Sequence, residues 1–396
     1  MEDDDPQSFG NMLAKKARGR GLTVRTREVD YLKCRCGATS GKEPCDLATL
    51  RQTGRRCYNL LRDEVFEELL AEARSGMFRV CVAGFPCNTY SVARFRDTMD
   101  GRTPPLRDRD HKFGLPNLTA WAKGHLAKGN QLTRRSLLLC AAVWAGGGEV
   151  LIENPPDYAK PGLWSRHYSS GSRQEERHCP LWELPWVVEF LEATGSELLH
   201  FAQCAHGSDF QKYSTLACSP RWRRVAKESF DAFDQVPCTC ERAHRDVASG
   251  WNADGSYHSK AAAAYPLGMK AYIVQAVISL LESQRPHQPL NSNLARALGM
   301  VQPPVVPPPD TQARVQRLES LHRNLTSAEA MAVCEVCDAG EDPAHPSAAA
   351  PGAKRRREAT TVRAAERKLG RGQSTITAMF QLSSAGRARG PPIARA

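Results

Sequence analysis

The stretch Phe78–Ser91, FRVCVAGFPCNTYS, determines the fold of this chain. Its first part, Phe78–Ala83, is a short apolar run, which indicates a strand buried on both faces. The residues before it, Asp63–Gly76, place apolar side chains at helical spacing and end at a glycine, which predicts a helix. Helix and strand therefore follow one another directly, and Pro86 fixes the turn after the strand.

The same alternation continues along the chain. A helix over Gln131–Ala145 precedes a strand at Val150–Ile152, and a helix at Glu183–Thr194 precedes a strand at Leu198–Gln203. A further helix over Ala261–Leu281, interrupted near Pro266, closes the region. Helices that alternate with apolar strands predict an α/β fold with a layered, parallel sheet.

The rest of the chain is predicted to lie outside this body, which spans residues 20–285. Residues 1–19 are expected to be disordered or a truncated N-terminus. Residues 286–310 are rich in proline and predict an extended linker, 311–337 can form a helix, and 338–396 are expected to be a disordered basic tail.

Composition excludes several classes of protein. No apolar stretch approaches the roughly 20 residues that span a bilayer, so no membrane partner is expected. The acidic N-terminus has no apolar segment typical of a secretory signal, so the fourteen cysteines are expected to be reduced thiols inside a cell. The net charge of +11 favours a polyanionic partner, and most of that charge lies after Lys354.

Two residues that can do chemistry follow neighbouring predicted strands. Cys87 comes after the strand Phe78–Ala83, and Glu153 with Asn154 follows Val150–Ile152. Ligands of open α/β sheets bind outside the carboxyl ends of the strands, where a thiol can act as a nucleophile and a carboxylate as an acid. A buried structural cysteine and a solvated strand-end glutamate are the alternatives.

Three motifs resemble those of the cytosine 5-methyltransferases that act on DNA. GFPCNTYS resembles their catalytic loop, IENPP resembles their Glu-Asn motif, and SDFQKYST at Ser208–Thr215 occupies the place of a later motif. The resemblance covers about residues 20–280 and extends to a divergent methyltransferase-like group found in mobile elements and algal genomes. It implies a Rossmann-type sheet that uses S-adenosyl-L-methionine, incomplete at its N-terminus.

The chemistry that this resemblance implies assigns roles to the strand-end residues. The Cys87 thiolate attacks carbon 6 of a cytosine, Glu153 holds ring nitrogen 3, and Asn154 shapes the loop. Carbon 5 then accepts the methyl group from the cofactor. The target base has to be flipped out of the DNA duplex to reach such a pocket.

The chain also departs from this family. The Phe-x-Gly-x-Gly loop that binds the cofactor is not evident, nor are the target-recognition domain and the closing Gly-Asn motif. By position, the cofactor contacts implied by the resemblance are Glu28, Asp30 and Pro86. A catalytically inactive DNA-binding or clamp-binding remnant of such an enzyme is therefore the alternative hypothesis.

Basic residues near these motifs are candidates for contacts with DNA phosphates, although a solvated basic face is an equal alternative. The candidates are Arg94, Arg96, Lys212, Arg221, Arg223 and Arg224.

NPPDY also resembles the Asn-Pro-Pro-aromatic motif of a second enzyme class, the amino-methyltransferases. In that motif an aromatic ring directly follows the second proline and stacks on the base. Here Asp157 separates the proline from Tyr158, which disfavours this class.

No metal site is predicted. Cys238, Cys240, His244 and His258 lie close in sequence, but zinc sites favour two to four residues between paired cysteines, and here there is one. Cys34, Cys36 and Cys45 share this spacing. Cys334 and Cys337 have the favoured gap but no second pair nearby.

The tail contains GQSTITAMFQ, which resembles the binding box for the sliding clamp, proliferating-cell nuclear antigen. Gln373, Ile376, Met379 and Phe380 occupy its anchor positions. Such a segment can fold into one turn on a surface pocket of its partner. Lys354–Arg357, KRRR, is typical of nuclear-import signals and predicts a nuclear protein, with a phosphate-binding run as the alternative.

Overall fold

The centre of the fold is a mixed sheet of six strands with the spatial order β1-β6-β2-β3-β5-β4. The strands are β1 (Val24–Val29), β2 (Val80–Gly84), β3 (Glu149–Asn154), β4 (Glu197–Ala202), β5 (Tyr213–Cys218) and β6 (Ile376–Leu382). The computed structural model describes residues 7–29, 57, 59–95, 104–166, 176–240, 244, 264–283, 309–335 and 376–382.

Four of the strands run in the same direction. β2 pairs with β3 in parallel, whereas β6 lies antiparallel between β1 and β2, and β5 lies antiparallel between β3 and β4. The carboxyl ends of β1, β2, β3 and β4 therefore meet at one edge of the sheet. This edge is where an α/β sheet places a ligand.

Helices cover both faces of the sheet. They are α1 (Phe9–Gly19), α2 (Asp63–Arg74), α3 (Ala120–Ala145), α4 (Pro185–Thr194), α5 (Pro220–Val225), α6 (Lys227–Asp231), α7 (Leu267–Ser283), α8 (Pro309–Thr326) and α9 (Ala328–Ala332). Buried residues of α2, α3, α4, α8 and α9 pack with one face of the sheet, and those of α1, α5, α6 and α7 pack with the other.

The alternation of side chains along the strands produces these two layers. Cys81 and Ala83 face the layer that contains α3, whereas Val80 faces the layer that contains α7. On β3, Ile152 faces the α3 layer and Leu151 faces the α7 layer. Both faces of the central strands are apolar because both are covered. The α/β class predicted from the sequence is confirmed.

Helix α3 is longer than the predicted Gln131–Ala145. Thr119 caps it, its hydroxyl oxygen accepting from the Ala122 amide at 3.3 Å. The polar residues in its middle are buried rather than solvated. Asn130 donates to a main-chain carbonyl just after α9, and Arg134 donates to a main-chain carbonyl of α8. These polar side chains interrupt the apolar pattern, so the sequence showed only half of the helix.

The predicted body began at residue 20, and this boundary is wrong. Phe9–Gly19 forms α1, whose start is capped by Ser8, and Leu13 and Ala17 are buried against α7. Phe9 and Met12 of the same helix pack against this cluster as well, so α1 presents an apolar face to its neighbour. Only residues 1–6 of the predicted disordered N-terminus lie outside the described residues.

The tail also differs from the prediction of disorder over 338–396. Within it the structure describes Ile376–Leu382, and this segment is β6, a strand with neighbours on both sides. Its backbone supplies the hydrogen-bond partners that the facing edges of β1 and β2 require. The long separation in sequence hid this pairing, because nothing local identifies a partner strand.

The segment predicted as a helix over 311–337 consists of α8 and the short α9. Leu318, Leu321 and Leu325 of α8 join the core on the α3 side of the sheet. The preceding linker, 286–310, lies outside the described residues except for its last two. Among the described helices none is both long and apolar enough to cross a membrane.

Replacing Ala378 with proline tests the position of β6. Ala378 pairs with Glu28 on one side and Val82 on the other, and proline removes the amide at the middle of the strand. We expect the amides of β2 and β1 to exchange with deuterium at least about tenfold faster, since about 1.4 kcal/mol of lost stability corresponds to that factor.

The matched control is Ala385→Pro, three residues beyond the strand. Hydrogen exchange followed by mass spectrometry would measure both variants. Unchanged protection of β2 in Ala378→Pro would show that β6 does not pair there.

Candidate active site

The turn after β2 and the end of β3 form the candidate site. Gly84, the last residue of β2, pairs with Glu153 on β3, so Cys87 begins its turn directly beside the glutamate. Pro86 precedes a single 3-10 turn, Cys87–Thr89, which is closed by the Tyr90 amide donating to the Cys87 carbonyl at 3.0 Å. The sequence prediction that Cys87 and Glu153 share one edge of the sheet agrees with this register.

Glu153 is a buried carboxylate held by two hydroxyl groups. Oε1 accepts from the Ser214 hydroxyl at 2.6 Å, and Oε2 accepts from the Tyr265 hydroxyl at 2.6 Å. Gln203 donates in turn to the Ser214 oxygen at 2.7 Å. A carboxylate with only 3% of its surface exposed needs such donors. The donors also fix the plane of the carboxyl group, so its orientation is determined before any ligand binds.

Gly84 allows Tyr265 to reach the carboxylate. A Cβ atom at this position would lie 2.3 Å from the Tyr265 hydroxyl oxygen, a distance that real side chains do not tolerate. The glycine that ends β2 is therefore required by the close approach of Tyr265, which comes from the segment before α7.

Asn154 joins the two halves of the site. Its Nδ2 donates to the Phe85 carbonyl at 3.2 Å, which ties the end of β3 to the turn that carries Cys87. The residue is fully buried, and its Oδ1 has no hydrogen-bond partner among the described residues. A buried amide oxygen in this state can accept from a bound ligand. The placement agrees with the loop-shaping role predicted for it.

The Cys87 residue is partly exposed, but its sulfur is desolvated. Burial raises the pKa of the thiol above its ordinary value; the positive charge of Lys212 acts to lower this pKa, and the negative charge of Glu153 raises it. At neutral pH the resting thiol is thus mainly protonated, and the charge of Lys212, together with a backbone hydrogen bond to the sulfur, favours the reactive thiolate.

Buried polar side chains support the turn after Cys87. Arg107 donates to the Thr89 hydroxyl at 3.0 Å and lies over the Tyr90 ring, 4.1 Å from its centroid. His178 donates through Nε2 to the Tyr90 carbonyl at 2.7 Å. Burial lowers the pKa of His178 to about 4, so the imidazole is neutral at physiological pH and keeps one nitrogen as a donor.

The residues of the rival NPPDY motif have other partners. Asp157 pairs with Arg109 through both carboxylate oxygens, at 2.8 and 2.6 Å. Tyr158 is buried and packs edge-on against Trp164 with 5.7 Å between ring centroids. Its ring is therefore part of the core. This position does not support the stacking of Tyr158 on a base, which an amino-methyltransferase would require.

The predicted phosphate-binding residues do not form one surface. Lys212 lies at the site, where its charge acts on Cys87. Arg94 donates to the Asn88 and Pro104 carbonyls and so holds the loop after Cys87. Arg96 lies outside the described residues.

Three further arginines, Arg221, Arg223 and Arg224, lie on α5, which starts at the opposite edge of the sheet. Arg221 is 3.4 Å from a carboxylate oxygen of Glu149, the first residue of β3. Arg223 pairs with Glu197 and Asp234. These three arginines therefore lie away from the edge that carries Cys87.

The cofactor contacts predicted by position are only partly described. The backbone of Glu28 lies in the carboxyl half of β1, at the same edge as Gly84, and Pro86 is buried beside the end of β2. Asp30 lies outside the described residues. The prediction for Glu28 and Asp30 stays a prediction.

Sequence reasoning missed three residues that hold Glu153. Ser214 lies within the SDFQKYST motif and Gln203 precedes it, but a serine in a strand gives no sign of which face it occupies. Strand β5 itself was missed, because its first three residues, Tyr213–Thr215, were treated only as part of that motif. Tyr265 is 112 residues from its partner, and only its place directly before Pro266 distinguishes it.

No protein-family model matches this chain, and no curated protein or solved structure is detectably similar to it. The geometry of the site is therefore the basis for its proposed function.

The pH dependence of Cys87 alkylation tests the electrostatics of the site. The thiolate is the reactive form, so the rate of reaction with iodoacetamide should rise with pH through the raised pKa of Cys87. Lys212→Ala removes the charge that lowers this pKa and should move the midpoint to higher pH. Glu153→Gln removes the charge that raises it and should move the midpoint to lower pH.

The control is Lys227→Ala on α6, which removes the same charge elsewhere and should leave the midpoint in place. Mass spectrometry of the Cys87 peptide measures each rate. Shifts of equal sign in Lys212→Ala and Glu153→Gln would contradict the arrangement.

Proposed function

We propose that this protein is a DNA cytosine 5-methyltransferase-like protein, whose site at the strand ends binds a flipped cytosine and attacks it through Cys87. The observation that supports the proposal is the placement of a nucleophilic thiol and an oriented carboxylate at the carboxyl ends of adjacent parallel strands. Each occurs alone in many proteins. Together, with a lysine beside the thiol, they match the needs of addition to a pyrimidine ring.

The addition step uses residues of this chain alone. The Cys87 thiol first loses its proton to water, and the thiolate forms a bond to carbon 6. The electron pair of the 5,6 double bond becomes a 4,5 double bond, and the pair of the 3,4 double bond moves to nitrogen 3. Glu153, protonated from water when the base binds, gives its proton to nitrogen 3, which keeps the ring neutral and leaves the carboxylate. Ser214 and Tyr265 hold the carboxyl group while its charge changes. Lys212 stabilises the thiolate before attack.

The described residues do not form a site for S-adenosyl-L-methionine. In doubly wound sheets, a Gly-rich turn leaves the central strand at the carboxyl edge and leads into a helix. Here the central position between β1 and β2 belongs to β6, which runs antiparallel, so the chain enters the sheet at that edge instead of leaving it. Methyl transfer is thus proposed from the resemblance alone.

This same feature favours the second candidate function. An inactive remnant that has lost its cofactor loop would still need a strand between β1 and β2 to complete its sheet. β6, which comes from the tail, supplies that strand. Such a protein would still bind DNA or a clamp but would not transfer methyl groups. The two candidates share the cysteine turn and differ in whether a methyl donor binds.

The proposed partners are DNA and the sliding clamp, and the proposed location is the nucleus. Ile376, Met379 and Phe380 of the clamp-binding box lie on β6, whereas Gln373 lies outside the described residues. Binding of the box to a clamp therefore requires β6 to leave the sheet. The same seven residues can either pair with β1 and β2 as β6 or bind a clamp, but they cannot do both at once.

Exchange of the hydrogen on carbon 5 tests the addition step without any cofactor. After thiolate addition, carbon 5 takes a proton from water and then loses its original hydrogen, and departure of the thiolate restores cytosine. An oligonucleotide with deuterium at carbon 5 should therefore lose it to water. We expect no exchange in Cys87→Ser and a rate lower by about 100-fold or more in Glu153→Gln, as for loss of a general acid.

Cys334→Ser serves as the matched control, because this thiol is buried beside Arg134 in the helical layer and takes no part in the site. Mass spectrometry of the digested oligonucleotide measures the deuterium. Equal exchange in wild-type protein and Cys87→Ser would rule out the covalent mechanism.

Calorimetric titration with S-adenosylhomocysteine separates the two candidate functions. Binding in the micromolar range, about 8 kcal/mol of free energy, would show that a cofactor site exists and would support methyl transfer. No heat of binding, with carbon 5 exchange intact, would leave a base-binding remnant. The companion variant Ala378→Pro tests whether release of β6 changes the affinity.

A further inference from the structure

Three cysteines and a histidine from two separate segments meet beyond the end of β4. They are Cys204, Cys238, Cys240 and His244. Cys204 lies in the 3-10 turn Gln203–His206 that follows β4 directly. The other three come from the loop after α6, at least 34 residues later in the chain.

Main-chain hydrogen bonds bring the two segments together. The Ala202 amide donates to the Val236 carbonyl at 2.8 Å, and the Val236 amide donates to the His200 carbonyl at 3.1 Å. Phe201 and Val236 thus form a parallel bridge at the edge of the sheet. This bridge places the residues that follow Val236 beside the turn that follows β4.

The ligand atoms of the four residues all lie within 4.8 Å of one another. The Cys238 sulfur is 3.5 Å from Nε2 of His244. Around a tetrahedral zinc ion with Zn–S bonds of about 2.3 Å and Zn–N bonds of about 2.0 Å, ligand atoms stand about 3.5–3.8 Å apart. The cluster therefore already has the approximate dimensions of a zinc site.

The surroundings fit a structural metal. Cys238 is buried, and Cys204 and Cys240 pack against the same small core, which contains Val92, Tyr158, Trp164, Ala202 and Tyr213. Four protein ligands fill a tetrahedral coordination sphere and leave no open position for a substrate. Three soft thiolates and one imidazole favour zinc over magnesium or calcium.

We propose that Cys204, Cys238, Cys240 and His244 bind one structural zinc ion, which fastens the loop after α6 to the end of β4. The sequence prediction of no metal rested on the single residue between Cys238 and Cys240. Cys204 changes this judgement, because it supplies a ligand from a second element that spacing alone does not reveal. His258, the other histidine considered, lies outside the described residues.

Metal content tests the proposal independently of any enzymatic activity. The full chain, purified under reducing conditions from zinc-supplemented medium, should contain one zinc per molecule by elemental mass spectrometry. Cys204→Ser should weaken zinc binding by about 100-fold or more, judged by competition with a chelator. His258→Ala is the matched control and should keep the wild-type affinity.

Cobalt substitution keeps the test decisive if Cys204→Ser does not fold. Cobalt-loaded wild-type protein should show the intense visible bands of a tetrahedral site and a sulfur-to-cobalt charge-transfer band. His244→Cys should keep the metal and increase the charge-transfer intensity by about a third, since a fourth thiolate is added.

Three results would overturn the proposal. They are a folded, metal-free wild-type chain, full zinc affinity in Cys204→Ser, or a disulfide within the cluster in the protein as purified. The second result would assign any zinc to cysteines elsewhere in the chain.

Discussion

The parallel pairing of β2 with β3 is the constraint on which the site depends. Its register sets Gly84 opposite Glu153, and everything after β2 is therefore positioned relative to the carboxylate. A shift of β2 by two residues along β3 would keep the same faces buried. It would, however, displace Cys87 by about 7 Å along the strand direction relative to Glu153. The apolar layers on both faces hold this register, because a one-residue slip would exchange the α3-facing and α7-facing side chains.

The buried carboxylate of Glu153 connects parts of the molecule that are far apart in sequence. Ser214 comes from β5, Tyr265 from the segment before α7, and Gln203 from the turn after β4. A carboxylate removed from water is costly unless several donors compensate for the lost hydration. The hydrogen bonds that this one charged group requires therefore fix the relative positions of three elements, and they make the candidate site rigid.

The sequence was informative where local physical rules decide the outcome. The helix at Asp63–Arg74, the strand β2 and the strand β3 followed from apolar periodicity, and the shared edge of Cys87 and Glu153 followed from the general rule for parallel strands. Prediction failed where pairing is long-range. Tyr265 and Cys204 acquire their surroundings only through tertiary contacts, and polar residues inside α3 concealed half of that helix. Motif resemblance named Cys87 and Glu153 as candidates, but it did not predict which hydroxyl groups hold the carboxylate.

The position of β6 has a consequence for how the protein is made. A ribosome releases β1 and β2 more than 290 residues before it reaches β6, so the nascent chain carries two open strand edges at its centre for most of its synthesis. Contacts this distant in sequence slow folding, and unpaired edges invite association with other chains. The middle strand of the sheet is therefore added long after its two neighbours have been synthesised, and β1 and β2 cannot complete their pairing before then.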